Sequence, residues 1–498
     1  MSGEYILAID QGTTGTTVLL INDEGEVCGS AYGELRQIYP RPGWVEHDPE
    51  EIWEGVVRLV RELLERTGVS RDRIRAIGIT NQRETTVLWD GRSGKPVHNA
   101  IVWQCRRTAE MCEELREKGF EGLVRRKTGL VIDPYFSATK LAWLLRELRP
   151  EGDLRFGTID SWLIWRLTDG KAHATDHTNA SRTMLFDIHK LRWDEELIEL
   201  FGVEGVKLPE VLPSSAEYGV VEEPEELKGV PIYGVAGDQQ ASLFGQACFE
   251  RGETKNTYGT GCFLMMVTGS EPVESKRGLL TTLACALGDE PIYALEGSVF
   301  IAGAAVQWLR DGLGIIESAS QTEEMALSVE DSGGVYVVPA FTGLGAPYWD
   351  SRARGAILGI TRGTRREHIV RATLEAIAHQ TADVLEAMEA DSGIKIERLR
   401  ADGGGSANNF LMQFQADLLG IRVERSKHKE CTSIGAAYLA GLRAGVWGGI
   451  DELRSLHAVD RVFTPKMDEV KRIELRNGWR EAVRRVLTKC GSSGNTTS

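Results

Sequence analysis

Two stretches about 250 residues apart follow one plan: an extended apolar segment, a glycine-threonine turn, and a second extended segment. Tyr5 to Asp10 leads into Gln11-Gly12-Thr13-Thr14-Gly15 and then Thr16 to Ile21. Thr254 to Tyr258 leads into Gly259-Thr260-Gly261 and then Cys262 to Val267. Glycine suits the tight backbone at the tip of such a hairpin. A matching hairpin at the start of each half points to an internal duplication, and so to two similar α/β units that meet near residue 250. A chain of 498 residues exceeds what one ordinary core organises. The expected division is 1–250 and 251–490, followed by a small polar tail at 491–498 that is expected to be disordered.

Between the turns, strand and helix patterns alternate. Asp48 is placed to cap a helix with Pro49 at its first position and Glu51 closing a capping box. Ile52, Trp53, Val56, Val57, Val60, Leu63 and Leu64 then recur at helical spacing. Residues 73–79 and 85–89 are expected strands on either side of the polar segment Thr80-Asn81-Gln82-Arg83-Glu84. Residues 137–148 are an expected helix, and the acidic run 222–229 an expected surface loop. A strand at 231–235 runs into Ala236-Gly237-Asp238-Gln239-Gln240 and a helix of small residues. Further on, 364–391 has the pattern of a long amphipathic helix. Residues 399–402, Gly403-Gly404-Gly405 and 407–419 suggest strand, glycine turn and helix. In α/β units, function concentrates in the loops at strand ends.

Charge and composition remove several classes. A net charge of -15 lacks the basic footprint that a nucleic-acid backbone requires. No apolar run is long enough to span a bilayer, and the first residues lack the basic start and apolar stretch of a secretory signal, so a cytoplasmic location is expected. The eight cysteines are scattered without a Cys-x-x-Cys pair, which favours reduced thiols over disulfides or zinc. No Gly-x4-Gly-Lys-Ser/Thr loop and no His-Arg-Asp loop occurs, so the chain is neither a P-loop NTPase nor a protein kinase.

Five segments could carry chemistry. The turn after Asp10 can present backbone N–H groups and the Thr13 and Thr14 hydroxyls to phosphate, with Asp10 near Mg²⁺; a plain solvent-facing hairpin is the alternative. The same two readings apply to Tyr258-Gly259-Thr260-Gly261. Three glycines before a helix at 403–405 can let an adenine or ribose lie against the backbone, or can simply make a tight connection. Arg83 beside Glu84 can donate to and accept from several hydroxyls, or form a surface ion pair. Asp238 can be the base that phosphoryl transfer to an alcohol needs, or a helix cap. Trp103 suits a core aromatic.

Taken together, several motifs resemble a known family. They are Gly78-Ile-Thr-Asn-Gln-Arg-Glu-Thr85, Tyr39-Pro-Arg-Pro-Gly-Trp-Val-Glu-His47, Ala236-Gly-Asp-Gln-Gln240, Asn256-Thr-Tyr-Gly-Thr-Gly261 and Pro339-Ala-Phe-Thr-Gly-Leu-Gly-Ala-Pro-Tyr-Trp-Asp350. They are similar to the glycerol kinases of the FGGY carbohydrate kinase family, as are 135–147 and 355–375, and the likeness runs from about Tyr5 to Leu487. The resemblance implies two duplicated ribonuclease H-like, actin-like ATPase domains with a cleft between them. It implies ATP-dependent phosphorylation of glycerol to sn-glycerol 3-phosphate in glycerol catabolism, with ATP and Mg²⁺ as cofactors, in a homo-oligomer (dimer or tetramer).

By position, the resemblance puts Arg83, Glu84, Tyr135, Asp238 and Gln239 on the hydroxyls of glycerol, with Asp238 as general base. Trp103 and Phe263 would wall the carbon chain. Thr13, Thr14, Gly15, Thr17, Thr260, Gly303, Gln307, Gly404 and Asn408 would line the ATP site, with Asp10 and Asp238 near Mg²⁺. Two departures stand out. Family members commonly carry Asp-Gln-Gly-Thr-Thr-Ser-x-Arg at the first turn, and here the last position is Thr17, which removes one positive phosphate contact or leaves it to another residue. Bacterial members also carry a Gly-x-Arg loop for fructose 1,6-bisphosphate. Here Glu222, Glu223, Glu225 and Glu226 occupy that region, and no inhibition by the bisphosphate is expected. A kinase for another small polyol or ketose is the close alternative, although related pentulose kinases differ around Arg83-Glu84 and Trp103. An actin- or chaperone-like ATPase would share only the turns, with no need of Arg83, Glu84 or Trp103.

Overall fold

The computed structural model describes residues 3–488, and the tail expected at 491–498 lies outside them. Two large sheets organise the chain. The first holds β1 (Tyr5–Gln11), β2 (Gly15–Asn22), β3 (Val27–Glu34), β4 (Ile74–Asn81), β5 (Ser215–Val220) and β6 (Pro231–Gly237), in the order β5-β6-β4-β1-β2-β3. The second holds β7 (Thr254–Tyr258), β8 (Cys262–Gly269), β9 (Leu280–Leu283), β10 (Tyr293–Val299), β11 (Arg398–Asp402), β12 (Arg422–Ser426) and β13 (Val459–Phe463), in the order β9-β10-β8-β7-β11-β12-β13.

The duplication hinted at by the two turns extends through both sheets. Strands β3-β2-β1-β4-β6-β5 pair antiparallel, antiparallel, parallel, parallel and antiparallel. Strands β10-β8-β7-β11-β12-β13 pair in the same sequence of senses. Strand β9 is an addition at the edge of the second sheet.

Side chains alternate between two covered faces with the two-residue period of a strand. In β1, Tyr5, Leu7 and Ile9 pack with Ile52, Val56, Leu59, Val60 and Leu63 of helix α1 (Pro49–Thr67). Ile6 and Ala8 face the opposite way, in a cluster with Ile434, Ala437 and Tyr438. Both faces of the strand are therefore covered, which is why it reads as a continuous apolar run. Asp48 caps α1 as expected, accepting from the Glu50 amide at 2.9 Å. The expected capping box does not form: Glu51 turns outward and accepts from the Arg36 amide and Nε at 3.1 and 3.2 Å. A charged guanidinium attracts that carboxylate more strongly than a neutral N-terminal amide does.

Three further helices position the cleft: α2 (Asp238–Gly245), α3 (Gly303–Asp311) and α4 (Arg366–Ser392), the last within two residues of its expected span. Helices α5 (Asn409–Leu419) and α6 (Cys431–Ala444) follow. Helix α6 comes from the second half of the sequence but lies on the first sheet. A side chain at Gly78 of β4 would stand 2.2 Å from the carbonyl oxygen of Ala436, so glycine is what lets α6 lie so close. Helix α6 also crosses α2 backbone to backbone. A Cβ at Gly435 would stand 1.9 Å from the Ala241 oxygen, and one at Gly245 would stand 2.0 Å from the Cys431 oxygen. The seven described cysteines are free thiols, six of them buried. Among the described residues, no helix is long and apolar enough to cross a membrane.

Candidate active site

Both glycine-threonine turns lie at the ends of paired central strands. The first is held by its own backbone, Gly12 N–H donating to the Gly15 oxygen at 2.9 Å, and by a buried side-chain frame beneath it. Gln37 Nε2 donates to the Thr13 oxygen at 2.8 Å, and Gln82 Nε2 reaches Gln11 Oε1 at 2.9 Å and the Gly12 oxygen at 3.2 Å. His47 joins the two glutamines, with Nε2 at 2.9 Å from Gln37 Oε1 and Nδ1 at 3.2 Å from Gln82 Nε2. Those partners fit a neutral imidazole that carries its hydrogen on Nε2. Burial pushes the pKa of His47 down to about 4, which keeps the ring neutral. Gly15 is required by packing, since its Cβ would meet the Tyr32 ring at 2.7 Å and the Gly33 oxygen at 2.5 Å. Thr17 lies directly across from Asp10 in the β1–β2 ladder.

The second turn borders a cavity of about 1030 Å³. Thr260, Gly303, Gln307, Gly404 and Asn408 all line it, with Leu374, Ile377 and Leu411 as apolar wall. Of the three glycines after β11, Gly403 holds φ +81° and a Cβ there would meet the Tyr258 oxygen at 2.6 Å, so its reason is conformational. Gly404 faces open space and leaves backbone exposed to a ligand. Asn408 doubles as the cap of α5, accepting from the Leu411 amide at 2.9 Å. Thr13, Thr14, Gly15 and Thr17 do not line this cavity.

The first turn instead meets a second, smaller group of residues. Trp103 Nε1 donates to Thr13 Oγ1 at 2.8 Å, and the Trp103 ring stands edge-on to Tyr135 and Phe263, at 5.4 and 6.5 Å between centroids. Phe263 belongs to β8, so the aromatic wall is shared by both halves. Beside it, Arg83 and Glu84 are almost wholly buried, at 2% and 1% exposure, which excludes a surface ion pair. Glu84 holds φ 60°, unusual for a residue with a side chain. Strain of this kind is tolerated where the surroundings fix the residue.

Arg83 is bound on several sides. Its Nη1 and Nη2 donate to Glu296 at 2.7 and 2.8 Å, and Nη1 also reaches Gln240 Oε1 at 3.1 Å. Nε stands 3.3 Å from Asp238 Oδ1 and 3.7 Å from Glu84 Oε1. With five N–H donors in a guanidinium, Nε and the second Nη2 hydrogen are what remain for a ligand. Arg182 Nε donates to Glu84 Oε1 at 2.7 Å, leaving Oε2 to accept a hydroxyl. Arg182 Nη2 also donates to Glu296 at 3.2 Å. Burial would raise the Glu296 carboxyl, but the Arg182 and Arg83 guanidiniums outweigh it and hold the pKa at about 2.

Asp238 opens α2 and is not its cap, a position held by Gly237. Burial raises its carboxyl, against the opposing pull of Arg83 and Lys255. Asp10 is pushed up to about 7, first by burial and then by the charge of Asp238; Ser433 Oγ donates to it at 3.0 Å. Two carboxylates that repel each other suit a cation. Among the described residues, no group of three or more His, Cys, Asp or Glu side chains could hold a metal ion. That donor set fits Mg²⁺, which keeps several waters and takes one or two carboxylates together with phosphate oxygens.

The motifs had singled out neither Arg182, Glu296 nor Lys255. Lys255 Nζ is fully buried and donates to Gln239 Oε1 at 2.6 Å and to Thr257 Oγ1 at 2.9 Å. One signal was present: Glu296 and Lys255 are lone charges inside otherwise buried strands. The acidic run at 222–229 also looks different in three dimensions. Glu222 pairs with Lys171, Glu225 with Arg71 at 3.2 Å, and Glu226 with Arg61 at 2.7 Å, so three of its four carboxylates are countered by basic side chains.

Similarity to known proteins extends over both halves of the chain. Residues 5–245 match the N-terminal domain, and residues 254–444 the C-terminal domain, described as the FGGY family of carbohydrate kinases. A glycerol kinase of Symbiobacterium thermophilum is 59% identical over 98% of this chain and 99% of its own length. Glycerol kinase 2 of Thermotoga maritima is 58% identical over 97% of this chain and 99% of its own. The crystal structure of Plasmodium falciparum glycerol kinase with ADP superposes with a TM-score of 0.92 at 41% identity, covering 98% of this chain and 99% of that one. A gluconate kinase of Lactobacillus acidophilus, at 23% identity and a TM-score of 0.89 over 97% of this chain and 98% of its own, shares the fold.

Proposed function

Because this chain belongs to the FGGY family of carbohydrate kinases, we propose that it transfers the γ-phosphoryl group of ATP to glycerol, giving sn-glycerol 3-phosphate and ADP. The observation that carries this reading is the buried Arg83–Glu84 pair beside Asp238, closed in by Trp103, Tyr135 and Phe263. A small polyol needs hydroxyl partners on one side and an apolar surface for its carbons on the other. Arg83 supplies donors and Glu84 Oε2 an acceptor, and an acceptor molecule lacking a hydroxyl would leave one of these buried charges unpaired.

Asp238 takes the proton of the attacking hydroxyl as that oxygen bonds to the γ-phosphorus and the bond to the β-phosphate oxygen breaks. Its raised carboxyl pKa suits a group that must accept a proton and release it again. Gln239 and Tyr135 hold the remaining hydroxyls. The nucleotide occupies the 1030 Å³ cavity along Thr260, Gly303, Gln307, Gly404 and Asn408, with its phosphates directed toward Thr13 and Thr14. Mg²⁺, held by Asp10 with Asp238 close by, would spread the charge that develops on the phosphates. Packing of the two halves around the acceptor excludes water, which would otherwise take the phosphoryl group. The same reading places the enzyme in the cytoplasm as a homo-oligomer, with its halves divided near residue 250.

ADP release measured by coupled assay, with and without glycerol, tests the reading. Release should depend on glycerol and should be much weaker with dihydroxyacetone, xylulose or erythritol. ATP hydrolysis indifferent to glycerol would defeat it in favour of an actin-like ATPase.

A further inference from the structure

The residues assigned so far to the acceptor's hydroxyls, Arg83, Glu84, Tyr135, Asp238 and Gln239, all lie in the first half of the chain. Two charged side chains from the second sheet reach across to them. Glu296, on β10, is 0% exposed and grips both Nη atoms of Arg83 while accepting from Arg182 Nη2. Arg182 in turn holds Glu84 Oε1. Arg83, Glu84, Arg182 and Glu296 thus form a closed ring of two cations and two anions, and Glu296 is its one member from the second half. Lys255, on β7, is also 0% exposed and donates to Gln239 Oε1.

We infer that Glu296 and Lys255 are positioning residues for the acceptor, fixing Arg83, Glu84 and Gln239 from the opposite half of the molecule. The acceptor site is then complete only where the two halves are packed together. The inference rests on the kinase reading above.

The physical reason is directional. Two parallel bonds to one carboxylate fix the plane of a guanidinium as a single bond cannot. With its plane held by Glu296, Arg83 turns Nε toward Asp238 at 3.3 Å. Without that carboxylate, Arg83 and Arg182 would be two buried cations sharing Glu84 and Asp238, and would claim the oxygens that the acceptor and the proton transfer require. Lys255 acts on Gln239 in the same way: an amide oxygen held by an ammonium turns the NH₂ group toward Asp238 and the acceptor hydroxyl.

Steady-state kinetics on Glu296→Gln and Lys255→Gln test the inference. Gln at 296 keeps the shape but offers one acceptor oxygen to two arginines. The glycerol KM should rise about tenfold or more in Glu296→Gln and severalfold in Lys255→Gln, with the ATP KM within about twofold of the parent. Glu296→Asp keeps the charge and should recover part of the loss, and it serves as the test if the Gln variant does not fold. An unchanged glycerol KM in the folded variants, or equal rises in both KM values, would overturn the inference and mark these residues as fold staples. A parent enzyme inactive on glycerol would defeat the kinase reading itself, a result separable from either outcome in the variants.

Discussion

Replacing Gly435 by alanine perturbs the site from outside it. The new Cβ would stand 1.9 Å from the Ala241 oxygen, where ordinary contact begins at 3.4 Å, so the two backbones must part by about 1.5 Å. No flexible side chain lies between them to absorb the shift. Helix α2 has only eight residues, and Asp238 and Gln239 are its first two, so moving Ala241 moves the base. A displacement of about 1 Å at a reacting group costs on the order of 10²-fold in rate. Overpacking of this kind also destabilises by about 1–3 kcal/mol. We expect Gly435→Ala to fold, to melt several degrees lower, and to lose about 10- to 100-fold in kcat/KM for glycerol. Gly55→Ala is the control: its Cβ meets nothing within 4 Å on helix α1, so it should stabilise by about 0.5–1 kcal/mol and leave kinetics unchanged. A Gly435→Ala enzyme within twofold of the parent in kcat/KM would refute the idea that the glycine crossing of α2 and α6 sets the position of Asp238.

Asp238→Asn should lower kcat by about 10²–10⁴-fold, as for loss of a positioned base, with the glycerol KM little changed; near-normal turnover in a rapid-quench assay would remove Asp238 from that role. Asp10, pushed up to about 7 by burial and by Asp238, takes a proton as pH falls through that value, and Mg²⁺ binds only the carboxylate form. Mg²⁺ affinity measured by calorimetry should therefore weaken about tenfold per pH unit between pH 7 and 5, and a flat profile would exclude Asp10 as a ligand. Trp103→Phe keeps the aromatic wall but removes the 2.8 Å bond to Thr13 Oγ1. It should raise the ATP KM about 2- to 10-fold although Trp103 lies on the acceptor side, and a change confined to glycerol would show that the bond has no bearing on the phosphate turn.

Local signals in the chain were readable where a few neighbouring residues decide the outcome. Asp48 and Pro49 marked the start of α1, and the apolar spacing after them marked its buried face. Glu51 misled because its partner, Arg36, lies 15 residues upstream. The four carboxylates at 222–226 looked like a bare negative patch because Arg61, Arg71 and Lys171 are distant in the sequence. His47 stood within a recognisable motif, yet nothing local indicated that it joins Gln37 to Gln82 beneath the phosphate turn.

By itself, the sequence determined the alternation of strands and helices, the two matching turns and the residue types available for phosphate and hydroxyl chemistry. Backbone propensity, capping and periodicity act over a few residues and leave their mark in composition. Tertiary structure alone decided that α6 crosses back onto the first sheet, and that Glu296 reaches Arg83 across 213 residues of chain. Such contacts exist because packing brings the two halves of the chain together and leaves buried charges to find their counterions. Which counterion each one meets depends on the geometry of the whole chain.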